Sequence, residues 1–161
     1  MKILLAVDGS GHSEAAVQAT AGKCFPPASE VRVISVIESS YLAAGFPGEG
    51  FSMALVADIE VAARRRAHDA VDKAAVVLLA REENSHLMVS TDVLSGCPKR
   101  MILDDAKTFE ADLIVVGSHG HGRFHRLLPG SVAQAVAFHA TCSVEIARSR
   151  NVEGGDDAGH R

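Results

Sequence analysis

The stretch Leu113-Ile-Val-Val-Gly117-Ser-His-Gly120-His-Gly-Arg-Phe-His-Arg-Leu-Leu-Pro-Gly130-Ser131-Val132 decides the fold. A short apolar run, Leu113 to Val116, ends at Gly117. A glycine loop follows, and a helix-compatible run leads from Val132 to His139. Strand, glycine loop and helix start together present backbone N–H groups that have no intrahelical partner, at the positive end of the helix dipole. Glycine lets that backbone take unusual dihedrals and come close to a ligand. A phosphate suits such a place.

The spacing narrows the reading. Gly117 and Gly122 have the separation of a Walker A loop, but Arg123 and Phe124 stand where Lys and Ser or Thr belong. Gly120-His121-Gly122 would need a further glycine at 125 to make a dinucleotide fingerprint, and that residue is His125. What fits is Gly117-x2-Gly120-x9-Gly130-Ser131. This pattern resembles the nucleotide signature of the universal stress protein family, in the branch that binds ATP. The resemblance runs from Ile3 to about Ala147.

The 161 residues suggest one domain, 1–148, followed by a polar tail, 149–161, expected to be disordered. A net charge of −4 argues against nucleic acid as a partner. The 3 cysteines, Cys24, Cys97 and Cys142, are widely spaced and read as reduced thiols of a cytoplasmic protein. Asp8 cuts the first apolar run too early for a secretory signal. The longest apolar run, Ala74 to Ala80, is far short of the ~20 residues that span a bilayer.

Taken in order, Ile3 to Val7 reads as a strand buried on both faces. Ser10 or Ser13 caps the helix that follows, and Gly22 with Pro26-Pro27 stops it. Val31 to Ile37 is a second strand. From Glu38 to Ser52 the periodicity dissolves, and a surface insertion explains this more simply than a lid. Met53 to Glu83 is helical, with Ala63, Ala67, Ala70, Val71, Ala74 and Leu78 on one stripe. Arg64-Arg65-Arg66 reads as a solvated face of that helix. Leu87 to Val93 alternates as an edge strand would, and Pro98 suits a first helical position. Leu113 to Val116, the helix from Val132 and the strand Ser143 to Ala147 complete the chain.

Alternating strands and helices predict an α/β fold, a doubly wound five-stranded parallel sheet with helices on both faces. The two most apolar strands belong at its centre, giving the order 3-2-1-4-5. The crevice beyond the carboxyl ends of strands 1 and 4 is then where a ligand binds. Asp8 ends the first of these strands and Gly117 ends the other.

Gly117 and Gly120 would turn N–H groups towards phosphate oxygens, or simply make a tight turn. Ser131 would donate to phosphate together with the N–H groups of Ser131 and Val132, or serve as a plain N-cap. Asp8, an acceptor when ionised, suits a ribose hydroxyl or an adenine amino group, or holds the turn. The family resemblance implies that Asp8 meets the nucleoside, that strand 2 near Val36 offers backbone atoms to adenine, and that Ala6 and Val7 flank the ribose. The nucleotide-binding set so read is Ala6, Val7, Asp8, Val36, Val116, Gly117, Gly120, Gly130, Ser131 and Val132. Arg123 and Arg126 stand by as charge partners or as solvated loop residues. His119, His121 and His125 have a spacing zinc can use, but no acidic or cysteine ligand adjoins them.

The glycine loop contains no Asp, Glu or Lys, so it reads as a binding loop with slow hydrolysis at most. The resemblance implies a stress-responsive protein with an adenine nucleotide fold of the α-hydrolase-like type. Its ligand would be ATP, with AMP or ADP as alternatives, and Mg2+ would be held mainly by the phosphates. It also implies a homodimer with an unidentified protein partner. Ser143 and Glu145 depart from the family's apolar last strand, and a charged edge discourages pairing. Glu145 therefore either alters dimerisation or faces solvent or a basic group. Pro129 before Gly130 is a further departure. A slow ATPase or nucleotidyl transferase, and a nucleotide-free dimeric module, are the competing readings.

Overall fold

The computed structural model describes residues 1–38, 53–120 and 130–148. The insertion read at 38–52 falls outside this set apart from Glu38, as do the tail at 149–161 and the loop residues His121, Arg123, His125, Arg126 and Pro129.

Five parallel strands, β1 (Lys2–Ala6), β2 (Glu30–Ile37), β3 (Met88–Ser95), β4 (Leu113–Gly117) and β5 (Ser143–Ala147), lie in the order β3-β2-β1-β4-β5. This is the expected sheet. β1 sits between β2 and β4, with Leu4 opposite Arg32 on one side and Ile114 on the other. Its side chains alternate between two cores. Ile3 and Leu5 join Val31, Val33 and Val115 under α1 (Gly11–Ala21) and α2 (Met53–Leu79). Leu4 joins Ile34, Ile114 and Val116 under α3 (Pro98–Phe109) and α4 (Ser131–His139). Burial on both faces explains why β1 and β4 read as unbroken apolar runs.

Local signals set most element ends. Ser10 caps α1 by accepting from Ser13 N–H at 3.3 Å, and Pro98 takes the first position of α3. The long helix stops earlier than expected, at Leu79, and a separate 3-10 turn covers Glu82–Asn84. Buried Asn84 accounts for this end. Its Nδ2 donates to the carbonyls of Leu78 and Ala21, both at 3.1 Å, and so ties the ends of α2 and α1 together.

The amino-terminal part of α2 stands clear of the core. Arg64, Arg65 and Arg66 are all exposed, and Arg64 pairs with Glu60 at 3.7 Å. β3 forms one sheet edge. Arg32 on β2 bridges it to α3, donating to Asp92 at 2.9 Å and to both oxygens of Asp105 at 2.9 and 3.1 Å. Its hydrogen bonds to the Asp105 carboxylate, ahead of the negative charges of Asp105 and Asp92, raise the Arg32 pKa above its ordinary value. Among the described residues no helix is long and apolar enough to cross a membrane.

Candidate functional site

The site lies where β1 and β4 end. Val7 N–H still bonds to Ile34 at 2.9 Å, and Asp8 then turns the chain. Asp8 Oδ1 accepts from Ser10 N–H at 2.9 Å, an Asx turn. Gly9 has φ +81, a left-handed conformation that only glycine takes cheaply, and its N–H donates to Ser13 Oγ at 3.1 Å. Ser13 Oγ donates in turn to Ser10 O at 2.9 Å. The Asp8 carboxylate is thus tied to the start of α1 through Ser10 N–H, in a turn that the Ser13 hydroxyl braces.

From the other side, Gly117 runs against α1. A Cβ on residue 117 would stand 2.7 Å from the carbonyl carbon and oxygen of His12 and 2.9 Å from Ser13 N. Packing alone therefore demands glycine here. Gly120 is different, because its Cβ position is 2.8 Å from Asp8 Oδ2. The loop after β4 thus reaches across the crevice to the acid at the end of β1. Gly130 closes the third side. Its N–H donates to Ser118 O at 2.7 Å, and its Cβ position is 3.3 Å from the Cα of His119. Gly130 thus packs on the backbone of Ser118 and His119, within the turn whose other glycines meet α1 at Gly117 and Asp8 at Gly120.

The reading of Ser131 as an N-cap is corrected. Gly130 is the cap of α4, without a side-chain cap bond, and Ser131 is its exposed first residue. The cap moves because the chain must pass Ser118 and His119 closely before the helix begins. The first N–H groups of α4, those of Ser131 and Val132, lack intrahelical acceptors by helix geometry.

The remaining sequence candidates sort by burial. Val7 and Val116 are buried with their side chains in the two cores, so only their backbone borders the crevice. Ala6 and Val36 are half-buried on the sheet face under α3 and α4.

His119 meets here two residues that the sequence reading did not single out, Ser118 and His12. Ser118 is buried, and its Oγ lies 3.4 Å from His12 Nδ1 and 3.2 Å from His119 Nδ1. The two imidazole centroids are 5.0 Å apart, tilted by 48°. Only the run of polar residues around Ser10 hinted at His12. Among the described residues no group of three His, Cys, Asp or Glu could hold a metal.

Glu145 has a basic partner within its own chain, ion-paired with Lys23 just past the end of α1.

The family model described as the universal stress protein family matches residues 1–148. Universal stress protein A homolog 1 of Coxiella burnetii is 34% identical over 142 residues, covering 88% of this chain and 92% of its own. Among solved structures, universal stress protein UspA of Lactobacillus plantarum superposes with a TM-score of 0.66 at 25% identity, covering 92% of this chain and 97% of that one. A universal stress protein family member of Arabidopsis thaliana, solved with AMP bound, superposes with a TM-score of 0.64 at 18% identity, covering 98% and 97% of the two chains.

Proposed function

The chain belongs to the universal stress protein family, and on that premise we propose that its crevice binds an adenine nucleotide, ATP foremost, as the input of a stress-response sensor or regulatory binding module. The observation that carries this is the approach of Gly120 to Asp8, 2.8 Å from Cβ position to Oδ2, with Gly130 closing the same turn. Donor backbone and an acceptor acid thereby face one hollow, as a phosphate and a ribose require.

In this reading the N–H groups of Gly117, Gly120, Ser131 and Val132 hold the phosphates, and Val116 borders them. Asp8 takes the nucleoside hydroxyls, Ala6 and Val7 flank the ribose, and the backbone near Val36 meets adenine. Glycine at 120 and 130 lets the turn close tightly against Asp8 and against the backbone of Ser118 and His119, which supports such a cradle. Mg2+ would be carried by the phosphates. The AMP-bound relative supports the adenine moiety and leaves the number of phosphates to be measured. Turnover would be slow, because the glycine loop itself carries no Asp, Glu or Lys.

A cytoplasmic homodimer joined along β5 belongs to the same reading. Lys23 neutralises Glu145, so that charge need not oppose pairing.

Isothermal titration with ATP, AMP and cyclic AMP tests the site. One nucleotide per chain is expected, with binding weakened at least tenfold, about 1.4 kcal/mol, by Gly120→Val or Gly130→Val. Affinity unchanged by both substitutions would defeat the proposal.

A further inference from the structure

His12 and His119 meet across the hydroxyl of Ser118, within the turn that gathers the three glycines. A hydroxyl has one proton. It can donate to one ring nitrogen and must accept from the other. With both bonds made, the neutral rings hold opposite tautomers. A proton arriving at the accepting Nδ1 turns it into a second donor, which the lone pairs of Ser118 Oγ can receive. The pair then carries one positive charge. A second proton would place two cations with ring centroids 5.0 Å apart, which their mutual repulsion opposes.

The backbone that carries the pair borders the proposed anion seat. Gly130 has its Cβ position 3.3 Å from the His119 Cα, and Gly117 lies against the His12 backbone. Among the described residues, the charged groups on the elements packed there include Asp8 after β1, Glu14 on α1, Arg66 and Asp69 on α2, and Arg148 after β5, and α4 has no ionisable residue before His139; His121, Arg123, His125 and Arg126 lie outside the described residues. Of these residue types histidine is the one whose ordinary titration falls between pH 5 and 8.

We propose that the His12–Ser118–His119 cluster makes this a proton-linked anion site, which takes up its phosphate-bearing ligand together with a proton on the histidine pair. The proposal rests on the nucleotide reading above and adds its pH dependence. Anion and proton each favour the binding of the other, and by linkage the coupling is reciprocal. The two histidines act as positioning and charge-tuning residues around backbone donors. Cells whose interior acidifies under stress would load the protein at a lower nucleotide concentration.

The test uses the full chain, with ATP and inorganic tripolyphosphate as probes, each titrated at pH 6 and pH 8. The wild type is expected to bind about five- to tenfold more tightly at pH 6, beyond the change due to the ligand's own protonation. Calorimetry in two buffers of different ionisation enthalpy should count a net proton uptake. His12→Gln and His119→Gln keep a hydrogen-bonding group without the charge, and each should remove most of the pH ratio. Melting curves establish folding, and either variant alone suffices.

A wild-type proton uptake no greater than the ligand's own overturns the proposal. So does a pH ratio unchanged in the folded variants, and either result leaves nucleotide binding standing. Failure of both probes to bind at either pH overturns both readings.

Discussion

Gly117 at the end of β4 and His12 in the first turn of α1 touch backbone to backbone, with only 2.7 Å between the Cβ position of one and the carbonyl of the other. Neither partner can yield as a flexible side chain would. Gly117→Ala should therefore push α1 off the sheet and cost about 1–3 kcal/mol. For a domain of this size that is a fall of roughly 3–10 °C in melting temperature. Thermal denaturation without ligand checks it, and a wild-type melting temperature would refute it.

Gly120 has the softer neighbour. Its Cβ position meets the end of the Asp8 side chain at 2.8 Å, and that carboxylate can rotate at the expense of its bond to Ser10 N–H. Gly120→Ala should lose less stability than Gly117→Ala, at most about 1.5 kcal/mol, the net worth of one such bond to a half-exposed carboxylate. It should nonetheless weaken ATP binding clearly. Comparing melting temperature with titration for the 117 and 120 variants separates packing from ligand recognition. Equal losses of stability in the two would contradict this distinction.

Asn84, 0% exposed, lies at the opposite end of the sheet and donates to the last turns of α1 and α2. Asn84→Ala leaves two buried carbonyls without that donor and should cost about 2–3 kcal/mol in urea unfolding. Nucleotide affinity should stay the same under conditions where the variant is folded. A surface-like loss below about 0.5 kcal/mol would show that the contact is dispensable.

Cys24 and Cys97 are exposed, whereas Cys142 is half-buried. Burial first, then the negative charge of Asp112, raises the Cys142 thiol above its ordinary range. Iodoacetamide near neutral pH should label Cys24 and Cys97 well before Cys142, as read by mass spectrometry of digested peptides. A thiol whose pKa is raised by folding contributes fully while protonated in both states. The contribution is lost as pH climbs from the unfolded towards the folded value. Stability should thus decline above about pH 8.5, and less steeply in Cys142→Ala. Parallel urea curves for the two proteins at alkaline pH would rule this out.

Much of the fold was legible along the chain. Ile3 to Val7 and Leu113 to Val116 are apolar on every position because both faces of β1 and β4 are covered. That places them at the centre, and the right-handed crossover rule then orders the sheet. The three glycines and Asp8 were legible for the same reason: their residue types and spacing are properties of the chain itself.

Contacts between distant segments were decided only on folding. Periodicity reports which face of an element is buried, but not what stands across from it. Thus Gly117 met the His12 backbone, Lys23 paired with Glu145, and the cap of α4 fell on Gly130 instead of Ser131. The His12–Ser118–His119 cluster has the same origin. Its residues come from two crossovers that return to one end of the sheet, and only the packing of α1 against β4 brings them within hydrogen-bond reach.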